Sequence, residues 1–393
     1  MTRRPHLPNW LRPVTATGWL VAALGAAGWL AAWWLGWKEL AVLAGACVAA
    51  LALAVPFTMG KFNLQTALRL EPKRVIVGDR AGGDVVVSNG TSVRSMPMQV
   101  ELTVGNGVAQ FRIPSLAPGA SHDELFTVPT QRRAVLQVGP VSSVRGDPLG
   151  LLRRERHWEK IEELFVHPHT VRLDRLGSGF LRDLEGQATN DLSPSDIAFH
   201  TLREYVPGDD RRHIHWRSSA KLDKLMVRQF VDTRRSELAI LISEQRADYL
   251  DDEEFEMAVS LAASFGLRAL RDEQTVHLVG GERRLPAVSG QSLLDGCSRL
   301  DMKDRGAGLS AAVGVANRLA PTATIVAFVT GSEASQADAR QAASMLSTRG
   351  RLVMFRADSR GTLRRRVIGN LTTLDVPQLS DFERGLLMVL GDR

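Results

Sequence analysis

With 393 residues, 44% of them apolar and 23% charged, the chain is long enough for two or three domains with proper cores and too apolar to be wholly disordered. Its net charge of +6 arises within residues 1–80, where nine basic residues face three acidic ones, while the remainder holds 40 of each sign. No globally polybasic surface exists, so nucleic acid is not an expected partner.

Thr15 to Trp37 is almost uncharged, and after Lys38 and Glu39 a second apolar run extends from Leu40 to Phe57. As one helix this stretch would be about 60 Å long, roughly twice the hydrocarbon thickness of a bilayer, so it is predicted to fold back as a two-helix transmembrane hairpin. A charge at the bilayer centre costs about 2.5–3.5 kcal/mol, which assigns Lys38 and Glu39 to the turn at the far surface. Trp29, Trp33, Trp34 and Trp37 gather toward that end, where an indole buries its ring and still hydrogen-bonds. Arg3, Arg4 and Arg12 precede the first span, and Lys61, Arg69, Lys73 and Arg74 follow the second. Retention of basic flanks on the inner side predicts a two-span cell-membrane protein with both termini and the soluble domains cytoplasmic. A cleaved signal peptide is the competing reading, but the apolar run is too long for one and a second span follows at once. The two cysteines, Cys47 and Cys297, form neither a disulfide framework nor a metal quartet and fit a reducing compartment.

Between Leu64 and Pro168 short β-type runs alternate with turn chemistry such as Ser88-Asn89-Gly90, Gly105-Asn106-Gly107 and Pro118-Gly119. The expected strands are Arg74 to Val77, Gly83 to Ser88, Met98 to Val104, Glu124 to Val128, Ala134 to Val144 and Glu163 to His167, a small immunoglobulin-like β-sandwich. From Ser236 apolar strands alternate with amphipathic helices: strands at Leu238 to Ile242, Thr275 to Val279, Thr324 to Val329, Leu352 to Arg356 and Leu371 to Val376. Helices are expected at Glu253 to Arg271, Leu309 to Leu319, Ser335 to Thr348 and Leu379 to Leu390. Strands of continuous apolar residues between helices imply a doubly wound α/β domain. The predicted domains are 1–60, tail and hairpin; 61–170, sandwich; 171–235, a polar segment; and 236–393, the α/β domain.

The polar segment holds the densest constellation, Leu202 to Ala220 followed by Leu225 to Phe230. Pro207-Gly208-Asp209-Asp210 is a turn in which Gly supplies a positive φ and Asp bonds nearby backbone N–H groups. His213, His215 and Arg217 alternate with Ile214 and Trp216, so a strand here would place the two classes on opposite faces. Arg203, Arg212, Glu204, Asp209 and Asp210 are suited to a charge-assisted network, which on its plainest reading pins the turn and docks the stretch. Sharper readings are a metal held by His213 and His215, which lacks a third ligand; acid and base chemistry by Asp209 and Asp210, which lacks an activated nucleophile; and capture of an acidic partner by Arg203, Arg211, Arg212 and Arg217. Phosphate-loop, His-Glu-x-x-His and Gly-x-Ser-x-Gly motifs are absent. Arg364-Arg365-Arg366 reads as a solvated face between strands, or as a contact for anionic lipid.

The pattern Leu-Arg-x-Tyr-x-x-Gly-Asp-x-x-Arg-x-Ile-x-Trp-x-x-Ser-Ala-Lys, running here from Leu202 to Lys221, resembles the signature of the prokaryotic domain-of-unknown-function family fifty-eight. Asp147-Pro148-Leu149-Gly150-Leu151 resembles the Asp-Pro-Phe-Gly-Leu element of the same family. The resemblance implies a von Willebrand factor type A-like domain after the signature and a partnership with a MoxR-type AAA+ ATPase, beside transglutaminase-like membrane proteins. It brings no catalytic residues. On this basis the binding or signature residues are Arg203, Tyr205, Gly208, Asp209, Arg212, Trp216 and Arg228.

A type A domain with a working metal site has Asp-x-Ser-x-Ser after its first strand. Here Ser243, Gln245 and Ala247 occupy those positions, Gly306-Ala307-Gly308-Leu309 offers no threonine, with Ser310 nearby, and Thr330-Gly331 stands where Thr-Asp-Gly is usual. Without both carboxylates too little charge remains to hold Mg²⁺. No metal and no cofactor are expected, and Glu244 and Glu333 would compensate only if their loops bent unusually. The leading expectation is a non-enzymatic, membrane-anchored interaction or assembly protein. The alternative is a hydrolase or transferase using Asp209, Asp210, His213 and His215.

Overall fold

The computed structural model describes residues 13–58, 64–158, 160–174, 176, 199–207, 209, 211–230, 236–348 and 350–390. The chain divides into two compact units, Met1–Val166 and His167–Arg393.

The first unit opens with two helices, α1 (Ala16–Leu35) and α2 (Lys38–Thr58), both long and apolar enough to cross a membrane. Thr15 caps α1 by accepting from the Gly18 N–H at 3.0 Å. Gly36 ends it at φ 68°, donating to the Ala32 carbonyl at 2.9 Å, a left-handed cap that a Cβ would strain. That cap makes Gly36 and Trp37 the reversal, so Lys38 and Glu39 form the first turn of α2 instead of the connection expected for them. The helices run antiparallel through small residues. A Cβ on Gly25 would lie 3.1 Å from the Cys47 Cβ, and one on Gly28 would lie 3.6 Å from the Ala44 Cβ, the close approach that membrane helices use in place of a hydrophobic driving force. Trp33 and Trp34 stand exposed near the reversal.

A two-sheet β-sandwich follows. The strands are β1 (Leu64–Leu70), β2 (Arg74–Ile76), β3 (Ala81–Asn89), β4 (Met98–Val104), β5 (Gly107–Ile113), β6 (Ser121–Val128), β7 (Ala134–Gly146), β8 (Arg153–Trp158) and β9 (Glu162–His167). One sheet has the order β1-β3-β6; the other has β2-β9-β7-β4-β5, with β8 extending β7. Alternate residues of both sheets, including Leu68, Val85, Val87 and Phe126 from one and Val100, Leu102, Val138 and Leu164 from the other, share one core. Asn89 is buried with its amide satisfied: Nδ2 donates to the carbonyls of Val93, Leu116 and Ala117, and Oδ1 accepts from Thr91. It therefore anchors the loop crossing at 89–93 and 116–120. Strands β1, β5 and β8 lie outside the sequence expectation. β8, Arg-Arg-Glu-Arg-His-Trp, shows no apolar alternation, because only Trp158 at its end packs against the core.

The second unit contains a two-stranded antiparallel hairpin, β10 (Phe199–Glu204) and β11 (Met226–Phe230), with a short helix α3 (Trp216–Leu222) between them. Its sheet then has seven strands: β12 (Glu237–Ile242), β13 (Thr275–Gly280), β14 (Arg283–Leu285), β15 (Ile325–Gly331), β16 (Arg351–Ala357), β17 (Arg364–Ile368) and β18 (Leu371–Val376). They order as β14-β13-β12-β15-β16-β18-β17. The five inner strands are parallel, and β14 and β17 close the two edges antiparallel. Helices α4 (Asp252–Arg271), α5 (Gly290–Ser298) and α8 (Phe382–Leu390) cover a core built on Ile240, Phe265, Phe355 and Phe382; α6 (Leu309–Leu319) and α7 (Gln336–Ser344) cover another built on Leu241, Val313, Phe328 and Met354. Successive residues of one strand thus enter opposite cores, which is why these strands read as continuous apolar runs. Phe355 stacks edge-on against Phe265 and Phe382, each at 5.0 Å between centroids.

The run Arg364-Arg365-Arg366 lies within edge strand β17, a correction to its reading as a solvated face between strands. Helix α7 ends at Ser344, four residues before the expected Thr348, where Met345 caps it.

Candidate functional site

The signature hairpin is held by a pair that its polar composition foreshadows. Arg203 donates from Nη1 to Asp209 Oδ2 at 2.7 Å and from Nη2 to Oδ1 at 2.6 Å, a bidentate fork. The same carboxylate accepts the Val206 N–H at 2.9 Å, while the Asp209 N–H returns to the Val206 carbonyl at 3.0 Å. The Arg203 bonds first, then the Val206 N–H, hold the Asp209 carboxyl below the usual carboxylate range. Lys224 Nζ meets Glu204 Oε1 at 2.7 Å on the neighbouring rung.

The stretch after the turn is not the strand its alternation suggested. Arg211–His213 form one turn of 3₁₀ helix, Ile214 makes an isolated bridge to Val227, and α3 starts at Trp216. The reason is a cap: the His215 side chain accepts the Ser218 N–H at 3.2 Å through Nδ1 and lies 2.7 Å from Ser218 Oγ. The Ser219 hydroxyl ties the helix to β11, donating to the His215 carbonyl and accepting the Met226 N–H at 2.8 Å. Ile214 and Val227 are buried beneath. Trp216 is 66% exposed, Ala220 lies one turn on along the same side of the helix, and Arg217 and Lys221 are exposed on it as well.

Of the predicted residues, Arg203 and Asp209 are thus joined, Tyr205 donates its N–H to the Leu225 carbonyl at 2.8 Å, Arg212 and His213 lie in the 3₁₀ turn, and Arg228 is placed by register opposite Leu202. Gly208 and Asp210 lie outside the described residues. Among the described residues no three His, Cys, Asp or Glu side chains converge as for a metal.

A second constellation sits at the C-terminal ends of the parallel strands, where the order reverses between β12 and β15, the usual location of a crevice in such sheets. Ser243 donates from Oγ to Asp248 Oδ2 and accepts the Gln245 N–H, and Tyr249 Oη donates to the Ser243 carbonyl at 2.7 Å. Burial pushes the Asp248 carboxyl above its ordinary value; the Ser243 bond opposes this and Asp338 adds to it. Glu244 points the other way and is almost wholly buried. Its carboxylate meets Arg283 Nη2 at 2.6 Å and Lys303 Nζ at 3.6 Å. Glu254, at the start of α4, accepts from Leu250 N–H, Ser332 N–H and Ser332 Oγ through Oε2. Asp248 was missed in the sequence because it stands five residues beyond Ser243, outside the type A spacing. The short 3₁₀ turn Arg246–Asp248 folds it back.

These geometries belong to a segment that the comparisons also single out. Residues 201–360 match the family described as "Protein of unknown function DUF58". The DUF58 match begins within β10 and takes in both constellations. The uncharacterized protein YeaD of Bacillus subtilis (strain 168) is 25% identical over 217 residues, covering 51% of this chain and 52% of YeaD; the chain spans about half the length of this curated relative. Among solved structures, the CARDB domain of the PF1109 protein from Pyrococcus furiosus, crystallised with di-metal ions, is 14% identical and covers 28% of this chain and 97% of that one, with a TM-score of 0.21. A beta-glucosidase from Listeria innocua is 15% identical over 29% of this chain and 18% of its own, with a TM-score of 0.19. Likenesses this slight leave the architecture to be read from the strand pairing itself.

Proposed function

We propose that the chain is a membrane-anchored interaction or assembly protein whose signature hairpin presents a protein-docking surface. The carrying observation is the mounting of Trp216: an exposed indole on a seven-residue helix, set by the His215 cap and the Ser219 tie, next to a turn locked by Arg203 and Asp209. A large aromatic on a helix that also exposes Arg217 and Lys221 has the composition of an interface hot spot. The anchor is read as a two-span hairpin with both termini and the soluble domains cytoplasmic, on the strength of the basic flanks. The domain limits are read as 1–60, 61–170, 171–235 and 236–393, with an immunoglobulin-like sandwich and a type A-like α/β domain, a reading supported by the doubly wound strand order. Ser243, Gln245 and Thr330 in place of the usual oxygen set, together with Glu244 engaged by Arg283 and Lys303, argue against a divalent cation there.

The partner we propose is a cytoplasmic MoxR-type AAA+ ATPase, by family analogy. The hydrolase or transferase alternative is disfavoured because Asp209 is committed to Arg203 and His215 Nδ1 to the cap of α3. Titrating detergent-solubilised full chain with a purified MoxR-type ATPase tests the reading. Trp216→Ala is expected to weaken binding at least tenfold while leaving the circular dichroism spectrum unchanged, whereas binding that is absent, or indifferent to Trp216, refutes it.

A further inference from the structure

The turn joining β7 to β8 reads Asp147-Pro148-Leu149-Gly150-Leu151-Leu152, and much of its polar backbone is satisfied from within or from the start of α1. Asp147, itself buried, accepts the Leu149 N–H at 2.9 Å and the Leu152 N–H at 2.6 Å. Pro148 has no N–H to satisfy. The Gly150 N–H, at φ 68°, donates to the Asp147 carbonyl at 3.0 Å. The Gly150 carbonyl accepts from Thr15 Oγ1 at 2.7 Å and Thr17 Oγ1 at 3.0 Å, and the Leu151 carbonyl accepts the Thr15 N–H at 3.0 Å. What the turn exposes is apolar: Pro148, Gly150 and Leu149, the last 68% exposed.

The turn also sits at a defined level on the helices. Leu151 and Leu152 share a buried cluster with Ala54, flanked by Val21, Ala50 and Leu51. At 1.5 Å per residue Ala54 and Ala50 lie about 6 and 12 Å below the Thr58 end of α2. A Cβ on Gly18 would lie 2.2 Å from the Leu151 carbonyl oxygen, so only glycine lets α1 and the turn approach this closely. Arg153 and Arg154, by contrast, stay at the helix ends: the Arg153 N–H donates to the Pro13 carbonyl at 2.6 Å and Arg154 Nη1 to the Thr58 carbonyl at 3.4 Å.

We propose that this turn is a lipid-inserting element, its tip at Pro148, Leu149 and Gly150 entering the boundary between headgroups and hydrocarbon beside the two helices. A loop that leaves water must satisfy its own backbone, and the Asp147 and Thr15 bonds do so for the Leu149, Gly150 and Leu152 N–H groups and for the Gly150 and Leu151 carbonyls, which suits the turn to the half-polar boundary. The inference rests on the reading that α1 and α2 cross a bilayer.

The test uses the full chain with Cys47→Ala and Cys297→Ala, reconstituted in vesicles of phosphatidylethanolamine and phosphatidylglycerol. Single bimane probes are placed through Leu149→Cys, Val48→Cys on α2 or Leu125→Cys on β6, and nitroxide lipids carry the label near the headgroup or near the chain terminus. All three positions are exposed in the protein, so the changes remove no core contact. The Leu149 probe is expected to show blue-shifted emission and to lose more intensity to the shallow nitroxide than to the deep one. The Val48 probe should be quenched most by the deep nitroxide, and the Leu125 probe by neither. A Leu149 probe that behaves like Leu125, or is shielded without quenching, while Val48 is quenched overturns the insertion and leaves the spans standing. An unquenched Val48 probe removes the spans and the insertion with them.

Discussion

Two turns in this protein are organised by an aspartate, and they solve opposite problems. Asp147 is buried and spends its carboxylate on two backbone N–H groups, Leu149 and Leu152, leaving an apolar tip. Asp209 meets a side-chain cation, Arg203, with one backbone bond in addition, and its turn stays polar and open to water. The first arrangement removes the need for solvent; the second relies on solvent to make the charge pair tolerable. The residue type is the same, so the sequence flags a turn at both places, while the bonding partner tells which medium the turn faces.

Asp147→Ala should have the largest effect, since it orphans two backbone donors at about 1–3 kcal/mol each. Hydrogen exchange at Leu149 and Leu152 is the readout, and unchanged protection would dissolve the contrast. Thr15→Ala removes both the α1 cap and a donor to the Gly150 and Leu151 carbonyls; a loss of about 1 kcal/mol is expected from the cap, read as faster exchange at Gly18. Asp209→Asn should act locally, speeding exchange at Val206 with little change in global unfolding; a global loss as large as that of Asp147→Ala would show the hairpin to be more than a locked turn. The smallest effects are in pH. With its folded value depressed, Asp209 contributes stability that is present above the ordinary aspartate range and is lost as pH falls through the depressed value. Asp248 has its value raised by burial, so its contribution is present below the ordinary range and is lost as pH rises through the raised value. Asp248→Asn and Asp209→Asn should therefore flatten opposite limbs of the stability profile. A common limb for both would contradict the assigned environments.

Legibility in the sequence followed burial pattern. Leu309–Leu319 and Leu371–Val376 are found at their expected limits, because a helix with one apolar stripe and a strand buried on both faces leave unambiguous periodicities. β14, β17 and β8 were not read, because Arg-rich strands that send at most one side chain to a core, Leu285 from β14 and Trp158 from β8, show no period, and α5 is too short to show its own. In the hairpin, the Arg203–Asp209 pairing was anticipated from charge and turn chemistry. The His215 cap was not, since alternation of His and Ile or Trp fits a strand equally well until Ser218 is known to lie under the imidazole. Asp248 beside Ser243, and Glu244 between Arg283 and Lys303, are meetings through space that no spacing rule encodes.

The seven-stranded sheet turns basic at its two antiparallel edges. β14 begins with Arg283 and Arg284, and β17 with Arg364, Arg365 and Arg366, so each outermost strand of a sheet whose inner strands are mostly apolar carries guanidinium groups. Unpaired strand edges template pairing with other chains, and fixed positive charge is a standard deterrent. While the long apolar strands between them are still emerging and unprotected, these arginines would repel the same edge of a neighbouring nascent chain, so the sheet closes on itself before it can recruit a stranger.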